Sequence, residues 1–164
     1  MNCKSFVSTS LVVLFCSICF SQQVKVNEMN VSWDFNDNTI TFSASAPDDG
    51  WIALGFNTKN DIVGSNLIMV NVIDGKVKAE DFFVVGVGNP KPVAKLGSQS
   101  QVIAVSGRES SGKTWVSFSL PTTAIDKYHM DLKKGNSIWL ICAFSMEDEF
   151  DHHSRMRKHV EVRL

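Results

Sequence analysis

Four histidines are present, and three fall in the run His152-His153-Ser154-Arg155-Met156-Arg157-Lys158-His159. Imidazoles are good ligands for haem iron, copper or zinc, and the arginine fork matches carboxylates such as haem propionates. The same run also reads as a solvated, mildly basic loop. A metal site built from protein donors alone needs three or four ligands, and no spaced Cys or His set elsewhere supplies them, since His129 stands alone. Serine hydrolase chemistry lacks its Gly-x-Ser-x-Gly signature. Residues 107–114 match Gly-x-x-x-x-Gly-Lys-Thr, but a phosphate loop must lead into a helix N-terminus, and Thr114 opens an alternating strand instead. The pairs Asp48-Asp49 and Glu147-Asp148 read as turn and loop residues before they read as calcium ligands. The chemistry on offer is ligand binding, with no catalytic apparatus.

A second stretch, Asp48-Asp49-Gly50-Trp51-Ile52-Ala53-Leu54-Gly55-Phe56-Asn57, must place those histidines if the two form one site. It is a turn feeding an almost wholly apolar strand, the pattern of a strand covered on both faces. Its partner is the apolar run 137–144, which leads directly into the histidine loop. A mouth lined by Trp51, Phe56, Ile62 and Met69, with polar groups from Asn66, His152, His153 and Arg155, has the composition of a small-molecule pocket. Trp51 also reads as a core residue under the sheet. Which of His152 and His153 turns inward is open, because neighbours on a strand point oppositely and in a loop either can.

The elements around these stretches read as strands. Residues 39–46 alternate as Thr-Ile-Thr-Phe-Ser-Ala-Ser-Ala after the turn Asn36-Asp37-Asn38, and Asp74-Gly75 is a strong hairpin dipeptide between 67–73 and 76–85. A first strand is expected over 28–35, an irregular loop over 86–97, and one short helix over 122–132. The count comes to about nine strands with turns every 8 to 12 residues, which predicts an all-β antiparallel immunoglobulin-like sandwich.

The N-terminus lies outside that fold. Residues 1–21 carry Lys4, an apolar run from Phe6 to Phe20 and small residues at their end, the pattern of a secretory signal peptide, so the mature domain spans 22–164 with no membrane span after cleavage. Secretion or a periplasmic location follows. Cys142 is then the one cysteine left, in a run that suits a buried thiol better than a nucleophile. A formal net charge of −1 provides no basic field for nucleic acid.

Taken in order, residues 49–57, Val63-Gly64-Ser65-Asn66-Leu67-Ile68-Met69-Val70, Asp74-Gly75, Ile141-Cys142-Ala143-Phe144 and Phe150-Asp151-His152-His153-Ser154-Arg155 resemble the DOMON domain, a family named from the N-terminal domain of dopamine β-monooxygenase. The resemblance covers nearly all of the mature chain. It implies an extracytoplasmic sandwich that binds haem b or sugars, often beside a redox partner protein. In haem-binding members one axial ligand is a late-loop histidine, which falls on His153 or its neighbour His152. The other is a methionine whose position falls on Ile62, where no donor atom exists; Lys59 and Met69 lie nearby in sequence. In the haem reading Arg155 pairs with a propionate, and the role is electron transfer. In a haem-free carbohydrate reading a Trp face stacks on the ring while Asn66, His152 and Arg155 bond hydroxyls. A third reading is a structural or interaction domain whose pocket has degenerated.

Overall fold

The structure, a computed structural model, describes residues 22–164. The expected signal peptide lies outside the described residues. Eleven strands are present: β1 (Gln22–Val26), β2 (Met29–Asn36), β3 (Thr39–Pro47), β4 (Ile52–Asn57), β5 (Asn66–Ile73), β6 (Lys76–Gly86), β7 (Asn89–Pro92), β8 (Ala104–Glu109), β9 (Lys113–Pro121), β10 (Ser137–Phe144) and β11 (Met156–Arg163). They form two antiparallel sheets, one ordered β1-β2-β3-β9-β8 and the other β11-β10-β4-β5-β6-β7. This is the all-β antiparallel sandwich the alternation predicts. Among the described residues no helix is long and apolar enough to cross a membrane.

The period of two decides what each sheet buries. From β3, Ile40, Phe42 and Ala44 enter the core between the sheets, and Thr41 and Ser43 face out. From the facing sheet come Ile52, Leu54 and Phe56 of β4 and Ile138, Leu140, Cys142 and Phe144 of β10. Phe42 anchors the centre, with ring centroids 4.8 Å from Phe56 and 5.9 Å from Phe118. The hairpin at Asp74-Gly75 closes as expected, with both residues at positive φ, 51° and 72°, the geometry a two-residue turn needs to match strand twist.

Three sequence expectations need correction. The chain begins pairing before residue 28, because β1 adds to β2 through the turn at Asn27, whose φ is 53°. Residues 86–97 are not a loop: β7 pairs with β6 and a 3-10 turn follows over Val93–Leu96. Pro90 and Pro92 are tolerated there because β7 is the sheet edge and the missing donors break no ladder. Residues 122–132 form turns instead of a helix. Asp126 Oδ1 accepts from Tyr128 N at 2.9 Å and Asp131 Oδ1 accepts from Ala124 N at 2.9 Å. Those carboxylates offer the backbone an alternative to helical bonds.

Cys142 sits on the core face of β10 without solvent exposure, and burial pushes its thiol up to about 12. A thiol held so far from thiolate is inert. A disulfide-exchange reagent is therefore expected to leave the native protein unlabelled at pH 8 and to label one equivalent once denaturant unfolds it.

Candidate ligand-binding site

The strand β4 is buried on both faces, and its second face is where a cavity forms. Ile52, Leu54 and Phe56 point between the sheets, which leaves Trp51, Ala53 and Gly55 on the outer side of the six-stranded sheet. Register then sets the floor. Ala53 lies between Ala143 of β10 and Met69 of β5, and Gly55 lies between Ile141 and Leu67. Small residues at the centre of the row and larger ones beside them produce a hollow. The hollow is already tight at its deep end: a Cβ on Gly55 would stand 3.1 Å from Ile141 Cβ and 3.2 Å from Leu67 Cδ1.

The cavity measures about 500 Å³, inside the range of roughly 300–1,000 Å³ typical of small-molecule sites. Phe82 and Val84 of β6 extend the apolar floor, Ile62 and the β6–β7 turn at Gly88 to Pro90 stand on one side, and Phe150 to Ser154 stand on the other. A separate apolar cluster of Trp51, Ala53, Leu67, Met69, Phe82, Val84 and Ala143, with Ile62 and Phe150 packed against it, lines this face. Phe82 and Phe150 meet edge to face at 6.2 Å, so the histidine loop is fastened across the cavity by an aromatic contact.

Backbone bonds position that loop. Trp51 N donates to Glu147 O at 3.1 Å and Ser145 N donates to Trp51 O at 3.0 Å, which extends the β4–β10 ladder past the strand ends. Ser145 Oγ donates to His153 O at 3.2 Å, and His152 N donates to Glu149 O at 3.0 Å. The main chain of both histidines is held while their rings, exposed and at the cavity rim, have no hydrogen-bond partner among the described residues. The other two histidines are committed. His159 Nδ1 contacts Asn60 Oδ1 at 2.8 Å, and its ring is kept below the usual imidazole range by burial and by the Arg157 charge. His129 is buried between Asp126 and Asp81 and does not line this cavity.

Of the residues singled out in the sequence, Trp51, Ile62, Met69, His152 and His153 line the cavity. Phe56 does not, because its parity on β4 sends it into the inter-sheet core, 1% exposed. Asn66 is also turned away: its Nδ2 donates to Asp81 Oδ1 at 2.7 Å and to Phe82 O at 3.3 Å. Arg155 is occupied outside the cavity, where its Nη1 reaches Asp48 Oδ2. The guanidinium on the cavity wall belongs to Arg157, two residues later and absent from the sequence expectation. A two-residue step along an extended chain advances about 6.6 Å, more than loop sequence alone resolves, and the alternation beginning at Met156 is the signal for it. Trp51, at 4% exposed, is a wall and not an open stacking platform.

The DOMON domain family model matches residues 25–145, from the first strand to the start of the histidine loop. The chain belongs to the DOMON domain family. The matched span contains every strand of this DOMON domain that builds the cavity floor and stops short of His152 and His153. Two solved structures share its fold. One is the cytochrome b domain of pyranose dehydrogenase from Coprinopsis cinerea, with a TM-score of 0.61 at 11% identity, covering 82% of this chain and 76% of that one. The other is the cytochrome domain of Myriococcum thermophilum cellobiose dehydrogenase, with a TM-score of 0.60 at 9% identity, covering 88% and 81%. At these identities the likeness shows the fold alone. Among the described residues no cluster of three or more His, Cys, Asp or Glu is arranged to hold a bare metal ion.

Proposed function

We propose that this DOMON domain binds haem b in the cavity on the outer face of its six-stranded sheet and serves electron transfer as an exported module. The observation that carries the reading is the pair of uncommitted imidazoles, His152 and His153, on the rim of a hollow whose floor is apolar apart from Glu80. Both fold neighbours are described as cytochrome domains. The donor set fits the group. Haem supplies one-electron redox chemistry and needs an axial nitrogen or sulfur ligand, an apolar bed and a cation for its carboxylates.

The chain's own residues divide that work. His153 would supply a nitrogen ligand, its main chain fixed by Ser145, and His152 is the neighbouring alternative. Ala53 would leave room for a flat macrocycle, and Ile141, Leu67 and Phe82 would exclude water from it. Arg157, exposed at the wall, takes the propionate role that the sequence assigned to Arg155. Ile62 contributes only methyl surface, so Met69, a thioether on the floor and 3% exposed, is the sulfur available to this site. A redox partner would exchange electrons at the open mouth beside residues 150–154. A sugar in the same hollow is less well served, since Trp51 is buried and the floor offers few hydrogen-bonding groups.

Titrating the purified domain with hemin should give a saturable Soret band, and His153→Ala should weaken binding by roughly 10- to 100-fold, the size expected for loss of a metal ligand or its support. If His152→Ala produces the loss instead, the ligand assignment moves by one residue. If no band develops, the haem reading fails.

A further inference from the structure

The opposite side of the molecule holds a second concavity, on the outer face of the five-stranded sheet. We propose that this face is a binding site for an anionic polysaccharide, separate from the cavity of the six-stranded sheet. Its volume is about 840 Å³. Cross-strand register lays Gln23, Ser32, Ser43, Ser117 and Ser106 in one row across all five strands. At a strand spacing of about 4.8 Å the row is roughly 19 Å long, enough for several sugar units. The hydroxyls both donate and accept, as sugar hydroxyls do. Ser43 Oγ already donates to Ser117 Oγ at 3.1 Å, and Ser117 Oγ to Phe42 O at 3.1 Å, which fixes the orientation of the floor.

The adjacent row is Lys25, Asn30, Ser45, Trp115 and Arg108. Its long side chains rise beside the short serines, so the groove has a wall. The Arg108 guanidinium lies 4.7 Å from the Trp115 ring centroid and the Lys113 ammonium 5.1 Å from it. The indole thus holds two cations at one end of the groove before any ligand arrives. Among the described residues none of Lys25, Arg108 and Lys113 is paired with a carboxylate. Within these five strands the acids are Asp34, at the opposite end of the face, and Glu109, whose carboxylate is turned to Thr114 Oγ1 at 3.0 Å. Two unpaired cations at the β8–β9 end and a third, Lys25, at the β1 end, in a chain with more acids than bases, call for carboxylate or sulfate groups spaced along a ligand, and the hydroxyl floor calls for a carbohydrate to carry them. A nucleic acid would require a denser cationic track and base-stacking rings, and a membrane surface would require protruding apolar groups.

The test is native electrophoresis of the full mature chain through gels containing heparin (sulfate and carboxylate), polygalacturonate (carboxylate alone) or neutral dextran. Retardation is expected in one or both acidic gels and not in dextran, which also tells the two anions apart. Arg108→Ala combined with Lys113→Ala should weaken retention about tenfold, the scale of two partly exposed ion pairs. Ser43→Leu, which fills the floor without altering charge, should weaken it comparably; Ser32→Leu serves if the first variant loses its circular dichroism spectrum. His153→Ala should leave retention unchanged, so this proposal and the haem reading stand or fall separately. The proposal is overturned by mobility unaffected in both acidic gels, by retention that survives the leucine plug, or by equal or tighter binding to single-stranded DNA or phosphatidylserine vesicles.

Discussion

Asp81→Ala is expected to destabilise the domain by about 3–5 kcal/mol, the cost of removing one member of a buried charged group and stranding the others. In this size range that lowers the melting temperature by about 10 °C or more. The carboxylate is 3% exposed and organises everything around it. Oδ1 accepts from Asn66 Nδ2 at 2.7 Å; Oδ2 accepts from Gln101 N at 3.0 Å and Ser100 Oγ at 3.3 Å. His129 Nε2 stands 3.3 Å from Oδ2 but off hydrogen-bonding geometry, so this buried nitrogen has no hydrogen-bond partner among the described residues. On its other side His129 Nδ1 meets Asp126 Oδ1 at 2.8 Å, and Asp126 in turn is bonded by Ser98. Asp126 is held below the usual carboxylate range: desolvation opposes the shift, and the Ser98, Tyr128 and His129 contacts outweigh it. Through this chain one side chain ties β6 to residues 98–101 and to the turns at 126–129. Asn66→Ala removes a single donor and should cost only about 1–3 kcal/mol. Equilibrium denaturation of the two variants checks the ranking, and equal losses would mean the network does not act through Asp81.

Gly50→Ala should damage stability and ligand binding together. A Cβ at this position would stand 2.5 Å from Ser145 O and 2.8 Å from both Met146 C and Glu147 N, and all three are backbone atoms. No side-chain rotation relieves those contacts, so residues 145–147 must move outward, at about 1–3 kcal/mol for an overpacked site. The same residues carry bonds that place the histidine loop, Trp51 N to Glu147 O and Ser145 Oγ to His153 O, and the adjoining Phe144 O accepts from Arg155 N at 2.8 Å. Hemin affinity is therefore expected to fall by about tenfold or more, the penalty a displaced ligand or ligand support brings. Gly75→Ala is the matched control. Its φ of 72° makes alanine cost about 1–2 kcal/mol, but nothing lies within 4 Å of the added methyl and Gly75 carries none of the bonds that place the histidine loop. Denaturation and hemin titration of the two variants should separate: both lose stability, and only Gly50→Ala loses hemin affinity. Retained binding in Gly50→Ala would show that the histidine loop is not positioned through residues 145–147.

The sandwich was legible because its signals are local. Alternation over residues 39–46 sorts Ile40, Phe42 and Ala44 from Thr41 and Ser43 without reference to any partner, and Asp74-Gly75 announces its own backbone angles. The apolar run from Trp51 to Phe56 announced double burial, but assigning both Trp51 and Phe56 to one mouth ignored that five positions apart on a strand means opposite faces. Asn66 was misplaced for the same reason: its polarity suggested a ligand contact, and its parity directs it to Asp81. The choice between Arg155 and Arg157 depends on where a long-range partner, Asp48, captures one of them, and no local pattern records that. Residues 122–132 read as a short helix without a sustained helical period, and in the structure Asp126 and Asp131 bond the backbone into turns. The hydroxyls of β3 were visible as a polar stripe; only the register with β2 and β9 turns the stripe into a row crossing the sheet.

The double burial of β4 gives the chain separable controls. Even-numbered positions 52, 54 and 56 face the shared core, and odd-numbered positions 51, 53 and 55 face the cavity. Selection on ligand preference and selection on thermal robustness can therefore act on interleaved residues of one six-residue segment with little interference. A combinatorial library confined to the odd positions would sample new cargoes on an unchanged chassis, while the even positions serve as the brake on how far such drift can go before the domain fails to assemble.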